Sequence, residues 1–443
     1  MKLKFSNIGK ISEADIELNS ITVIAGSNDT GKSTVGKLLY AVSMALHLIT
    51  PHTLLLDKFK KISDDLTDFS RRMSDGNNIN VTDRFKKLLH EHRVVFYDPR
   101  INRHARTEVQ SSELDEFESK LDLVVAEIIE ELEKTGTDDN ITIDKQRLDV
   151  LRPKWFKSSS DVRHSEIQDM ILTEFSDNLT SEFRKDLLSE IKLLKKNENE
   201  IRLDFLNNKL QDNSKTTLEN AIFKSFFIDD PFVLNNNSIL IDRSKPYLYY
   251  KHREHLASWL FVYGGIRNNY FDKAVQKETV EGIFSSVIDG KIERESEGFK
   301  YRSNQFSQPI SMENVSTGIK SFAILKLLME TGGLSDCEFL ILDEPEIHLH
   351  PAWQLKYAEL LVLLTIHYPI RVVLTSHSPY FVQAIELYSK LHKIDKSVRF
   401  YKTDADGEMS KIINVTNCIE KLYEDMAIPF RDLEELRDEF DDE

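Results

Sequence analysis

Residues 21–48 read ITVIAGSNDTGKSTVGKLLYAVSMALHL, and this stretch decides the fold. Ile21–Ala25 is a continuous apolar run of strand length, residues 26–31 form a glycine-bearing turn, and apolar positions recur at helical spacing from Lys32 to Leu48. A buried strand, a turn and a helix in that order predict a parallel α/β core. Within it, Gly26-Ser27-Asn28-Asp29-Thr30-Gly31-Lys32-Ser33 fits GxxxxGK[ST] in the setting that motif needs. Backbone N–H groups must close round a β-phosphate, so glycine is required where a Cβ would block the approach or forbid the backbone angle. Gly26 and Gly31 stand at those places. Lys32 is expected to reach the β- and γ-phosphates of ATP and Ser33 to ligate Mg²⁺. Thr34 joins the nucleotide-binding positions at the positive end of the helix.

A phosphate loop needs carboxylates opposite it to hold the metal's water shell and the attacking water. Phe339-Leu340-Ile341-Leu342-Asp343-Glu344 supplies them: four apolar residues make a buried strand that ends in Asp343 for the metal and Glu344 for the water. Val315-Ser316-Thr317-Gly318-Ile319-Lys320-Ser321 precedes an apolar helix. Ser316 can cap that helix, Gly318 permits a phosphate to approach, and Lys320 adds a positive charge. A nucleotide already held by Lys32 needs no second anion-binding helix from its own chain, so this element is expected to serve a partner's nucleotide. Val372-Val373-Leu374-Thr375-Ser376-His377-Ser378 places a histidine just past a strand, where it can contact the γ-phosphate or orient the water.

In their order, GSNDTGKS, VSTGIKS, FLILDEPEIHLHP and TSHSPYFV resemble the ABC-type ATPases that include SMC proteins, RecF and the OLD-family ATPases. The resemblance covers about residues 1–50 and 236–400. It implies a head that forms a homodimer, with two ATP molecules sandwiched between one subunit's phosphate loop and the other's signature helix. On that pattern Glu344 matches the catalytic glutamate, Ser316 and Gly318 the trans signature, Glu346 to His350 the D-loop region, and His377 the switch histidine. The family's Q-loop glutamine has no evident counterpart; Val95–Arg100 and Gly264–Arg267 are the candidate loops, and neither holds a glutamine. The nearest resemblance is to small OLD-like AAA-family ATPases of bacterial antiphage systems, which work with a separately encoded nuclease or toxin. OLD proteins carry a C-terminal Toprim nuclease, for which the 66 residues after His377 are too few. Asp404-Ala405-Asp406-Gly407 therefore reads as a hairpin turn.

The fold class expected is an α/β, ABC-type P-loop ATPase head, a mixed β-sheet with flanking helices, interrupted by a mostly helical insertion. The boundaries read as 1–105 for the N-terminal lobe, 106–235 for the insertion, 236–430 for the C-terminal lobe and 431–443 for an acidic tail. Phe117, Leu121, Val124, Val125, Ile128 and Leu132 share a helical face, and Ile167, Ile171, Phe175, Leu179, Phe183, Leu187, Leu188 and Ile191 repeat the behaviour. Short β-like pieces follow at Ser238–Ile241, Tyr247–Tyr250, Leu260–Tyr263, Gly290–Arg294 and Gly298–Arg302.

Composition narrows the function. In 443 residues, 74 acidic against 58 basic side chains exclude a simple polybasic nucleic-acid binder. The excess of acid is local: residues 108–133 hold ten acidic groups and one basic, and residues 431–443 hold eight and two. Each segment reads as a solvated face, with a dock for a basic partner or a mimic of nucleic acid as the alternatives. DNA stays open as a partner of the head; Arg100, Arg103, His104 and Arg106 form a short basic cluster that reads first as a solvated loop, with contact to DNA phosphates as the alternative. Cys337 and Cys418 are too few for a disulfide scaffold or a four-cysteine zinc site. The N-terminus lacks a signal-peptide apolar core and no run of about 18 apolar residues occurs, so a cytoplasmic protein without membrane association is expected. The leading expectation is a slow ATPase acting as a dimerisation switch over a separate effector. The alternatives are a RecF- or SMC-like DNA repair ATPase and an ATP-bound scaffold that holds an effector inactive.

Overall fold

The computed structural model describes residues 1–73, 81–91, 111–135, 149–153, 155–157, 159–195, 200–215, 224–235, 250–263, 277–295, 298–335 and 337–441. They form two compact units, Met1–His47 with Gln168–Glu443, and Leu48–Ile167.

The first unit is built on β1 (Lys2–Ile8), β2 (Ile11–Glu17), β3 (Ile21–Ala25), β4 (Ser189–Leu194), β5 (Glu200–Leu206), β6 (Lys209–Leu210) and β7 (Ser225–Ile228). A small antiparallel sheet of β8 (Gly290–Glu295), β9 (Gly298–Ser303) and β10 (Ile310–Ser311) follows, then β11 (Phe339–Asp343), β12 (Arg371–Ser376), β13 (Val398–Asp406) and β14 (Met409–Asn414). Eleven of these strands make one mixed sheet in the order β6-β5-β4-β1-β2-β14-β13-β3-β12-β11-β7. The run β13-β3-β12-β11-β7 is parallel throughout, so the loops after all five strands emerge at one edge. All five residues of β3 are buried, as a strand covered on both faces requires.

The described residues between 175 and 235 differ from the helical reading. The helix Ser159–Glu174 ends at Glu174, and Ile191, Leu193, Ile201, Leu203 and Phe205 are buried at every second position, the period of strands that extend the sheet past β1. Exposed Leu187 and Leu188 had masked that alternation. Trp259–Tyr263 is a π-helical turn where a strand was expected, because Trp259, Leu260 and Phe261 are buried in succession and do not alternate. The β8–β9 hairpin stands as expected, and so does the turn at Gly407, where Asp406 pairs with Met409 and φ is 65°.

The second unit begins earlier than the expected insertion and ends earlier. Here α1 (Lys32–Leu48) gives way to α2 (Pro51–Met73), α3 (Val81–Glu91) and α4 (Ser111–Thr135). Leu55, Phe59, Ile62 and Leu66 of α2 share a core with Phe85, Phe117, Leu121, Val125 and Ile128. Of its predicted face, α4 buries Phe117, Leu121, Val125 and Ile128 and half-buries Val124. Its acidic face is partly neutralised, since Lys58 meets Glu118 and Asp122 at 2.9 and 3.0 Å and Arg84 meets Glu131 at 2.5 Å. The Arg100–Arg106 cluster, Val95–Arg100, Gly264–Arg267, Ser238–Ile241 and residues 247–249 lie outside the described residues. Among those described, no single helix is long and apolar enough to cross a membrane.

Candidate nucleotide site

The phosphate loop bridges β3 and α1. Gly26 has φ 150° and Gly31 has φ 85°, backbone angles that favour glycine. A Cβ on Gly26 would lie 2.1 Å from Thr403 Oγ1, and one on Gly31 would lie 2.8 Å from Ile11 Cδ1. Thr403 donates to Thr30 Oγ1 at 2.9 Å, and Thr30 donates to the Ser27 carbonyl at 2.8 Å, so β13 braces the loop. Ser27, Asn28 and Asp29 are exposed at the tip, with Asp29 paired to Lys10. Thr34 N donates to the Gly31 carbonyl at 3.0 Å and starts the helix.

Lys32 is 4% exposed and donates to the carbonyls of Gly26 at 3.0 Å and Ser27 at 2.6 Å. Burial lowers its pKa, opposed by the carboxylates of Glu344 and Asp343. Its Nζ lies 3.7 Å from Glu344 Oε1.

Asp343 ends β11 in register with Thr375 of β12. Its Oδ1 accepts from Ser33 Oγ at 3.0 Å and from Thr375 Oγ1 at 2.5 Å. Burial raises its pKa, and those two hydroxyls oppose the rise. The hydroxyl and carboxylate are hard oxygen donors and fit Mg²⁺, which keeps water and phosphate oxygens for its remaining positions. Among the described residues no cluster of three His, Cys, Asp or Glu could hold an ion alone, so the nucleotide's phosphates would have to complete its shell. Glu344 stands at φ 48°, a left-handed backbone that costs a non-glycine residue about 1–3 kcal/mol. Its N–H is anchored on Thr375 Oγ1 at 3.0 Å, and its carboxylate lies 3.4 Å from His377 Nδ1. The structure thus brings Lys32, Ser33, Asp343, Glu344 and His377 together across 345 residues of chain.

The signature segment is placed differently. Ser316 caps α8 (Thr317–Glu330) and is exposed; the helices before it are α5 (Ser159–Glu174), α6 (His252–Ser258) and α7 (Lys277–Ser285). A Cβ on Gly318 would lie 2.9 Å from the Trp353 ring, so its smallness admits an indole of the same chain. Lys320, expected at a partner's nucleotide, is 1% exposed; its Nζ donates to the Glu313 carbonyl at 3.3 Å and sits 5.0 Å from the Phe232 ring centroid. A long apolar stem beside an aromatic ring favours that inward position.

Four residues absent from the sequence reading complete the edge. β11 is flanked on its far side by β7, Asp229 follows that strand directly, and Asp229 lines one pocket with Asp343, Glu344 and His348. His252 joins Asp229 to Glu174, with Nδ1 2.6 Å from Glu174 Oε1 and Nε2 3.0 Å from Asp229 Oδ2. Arg253 adds a bond to Asp229 at 2.8 Å. Burial alone would depress the imidazole's pKa, but Asp229 and Glu174 overcome it and raise the value to about 9. His252 and Arg253 hold Asp229 well below the usual carboxylate range despite its burial. A signal was present: Phe226-Phe227-Ile228-Asp229-Asp230-Pro231 repeats the apolar-run, acid-acid-proline pattern of Phe339 to Pro345.

His252 and its two carboxylates, Glu174 and Asp229, carry a pH prediction. With an unfolded value near 6.5, a raised folded pKa gives stability that is fully present below pH 6.5 and is lost as pH rises through about 9. The shift corresponds to about 3 kcal/mol. Denaturant unfolding should show that loss for the natural chain, and His252→Gln should remove the slope while lowering stability at pH 7 by about 3 kcal/mol through uncompensated buried carboxylates. The same slope in the variant would assign it to another group.

With this geometry in view, residues 160–383 match the family described as "AAA domain, putative AbiEii toxin, Type IV TA system", just over half of the chain. The chain belongs to this AAA-domain family. The matched span holds the signature, Asp343–Glu344 and His377, and the phosphate loop lies before it. No curated protein matches in sequence. Solved structures that resemble the chain include an SMC head bound to the C-winged helix domain of ScpA, at 10% identity, covering 93% of this chain and 97% of that one, TM-score 0.40. An SMC head domain from Thermotoga maritima has 11% identity, covers 94% and 98%, and has a TM-score of 0.36. An Smc head with an extended coiled coil derived from Pyrococcus furiosus, bound to the C-terminal domain of ScpA, has 10% identity, covers 98% of both chains and scores 0.32. Such scores leave these as distant likenesses from which nothing about this AAA-family chain's activity follows.

Proposed function

We propose that this AAA-family P-loop protein hydrolyses ATP slowly and uses the bound nucleotide to switch between monomeric and dimeric heads, as the regulatory subunit of an antiphage system with a separate nuclease or toxin. The observation that carries the ATPase reading is the Ser33–Asp343 bond at 3.0 Å beside the Lys32–Glu344 pair at 3.7 Å. It joins phosphate loop and carboxylate strand as metal-assisted attack of water on a γ-phosphate requires. Bound Mg²⁺ would neutralise charge on the phosphates. Lys32 would leave the Gly26 and Ser27 carbonyls for the β- and γ-phosphates, Ser33 and Asp343 would hold the metal's shell, and Glu344 would orient the water and take its proton. His377, whose side chain is 40% exposed, would meet the γ-phosphate.

Exposed Ser316 at the start of α8 supports the trans assignment, in which the partner subunit's Ser316 and the α8 N-terminus close over the ATP. The family's description, which names a toxin system, supports the effector part. Co-expression with the product of the adjacent gene tests that part. The natural chain should change the neighbour's nuclease or toxic activity, and Lys32→Ala should abolish the effect. A neighbour indifferent to both chains would contradict the regulatory role.

A further inference from the structure

Between the loops that follow β11 and β12 lies a carboxyl to which the mechanism above gives no part. Glu346 is 2% exposed. Its Oε1 accepts from Ser376 Oγ at 2.6 Å and from His377 N at 3.0 Å, and lies 3.8 Å from His377 Nδ1. Its Oε2 is buried and has no hydrogen-bond partner among the described residues. A second tie joins the same loops: Gln354 Nε2 donates to the Glu346 carbonyl at 3.4 Å, and Ser378 Oγ donates to Gln354 Oε1 at 3.2 Å.

A buried polar atom left unpaired costs about 1–3 kcal/mol, so an apolar side chain would pack here at lower cost. The carboxyl does something an apolar group cannot. One oxygen gathers a hydroxyl and the backbone N–H of the switch histidine, which fixes where the His377 Cα stands and therefore how far the ring reaches. From that position Nδ1 meets Glu344 Oε1 at 3.4 Å. We propose that Glu346 is a positioning residue that acts through His377, holding the imidazole with Nδ1 on the Glu344 carboxylate and leaving Nε2 for the nucleotide. Elsewhere a carboxylate orients a catalytic histidine through a ring nitrogen; here Glu344 meets the ring nitrogen, and Glu346 sets the backbone from which the ring reaches it. This inference rests on the ATPase reading and deepens it.

A double-mutant cycle on the full chain tests it, reading phosphate release with ATP and Mg²⁺. Glu346→Ala should lower kcat by about 10-fold or more with KM for ATP within about 2-fold, and Glu346→Ala with His377→Ala should be no slower than His377→Ala alone. Glu346→Gln keeps an acceptor oxygen for Ser376 and His377 and should recover most of the lost turnover. Should Glu346→Ala fail to fold, Glu346→Asp, which withdraws the oxygen by one methylene, enters the same cycle with the same non-additivity expected. Effects that multiply in the double variant, or a KM rise that Gln does not correct, would overturn the proposal. A natural chain no faster than Lys32→Ala would instead overturn the ATPase reading, so the two failures are distinguishable.

Discussion

Glu344→Gln should lower ATP turnover by about 10²- to 10⁴-fold, the range in which a positioned general base contributes, and leave nucleotide binding intact. The reason is where this side chain sits. Its backbone is held in the left-handed region by Thr375, and its carboxylate lies between the Lys32 ammonium and the His377 ring. Glutamine keeps the volume and the hydrogen-bonding oxygen but cannot accept the proton of an attacking water. Binding rests on Lys32, Ser33 and the loop amides, all of which remain; Lys32 loses only a carboxylate 3.7 Å away and stays free for the phosphates, so kcat should fall and KM should not rise. Single-turnover phosphate release and nucleotide titration separate the two. Equal turnover in both chains would remove Glu344 from the chemistry.

Lys32→Ala should act on the other quantity. Lys32 is a buried cation that already lies within 3.0 Å of two loop carbonyls and near one carboxylate, so its ammonium is poised to transfer to phosphate oxygens with little new desolvation. Truncating one partner of a buried charge pair costs about 2–5 kcal/mol, which predicts an ATP affinity lower by about 30-fold to more than 10³-fold. The Gly26 and Ser27 carbonyls lose their donor at the same time, so a modest loss of stability without nucleotide is expected as well. Calorimetric titration of ATP with Mg²⁺ reads the affinity, and an unchanged value would place the phosphates elsewhere.

What could be read from the sequence was what is local. Ile21 to Leu48 and Phe339 to Glu344 carry strand, turn and helix signals within a few residues of the groups they position, and the structure unites Lys32, Ser33, Asp343, Glu344 and His377. The insertion's edges were not legible. Leu187 and Leu188 continued a helical count although the helix ends at Glu174 and an alternating strand begins at Ser189, and α2 finds its core within its own unit. Asp229 went unread although its own strand pattern mirrors that of Asp343, because it fell inside a segment taken as helical. His252 and Glu174 could not be paired from sequence, being 78 residues apart. The inward turn of Lys320 and the seat of Trp353 on Gly318 likewise depend on contacts between distant elements.

The claim that ATP drives the heads together is tested most directly by the solution mass of full-length Glu344→Gln, measured by light scattering with ATP and Mg²⁺, with ADP and Mg²⁺, and without nucleotide. The account predicts twice the 51.4 kDa chain mass with ATP alone, and reversion when Ser316→Arg places a bulky cation at the start of α8. A mass that is the same under all three conditions would contradict it.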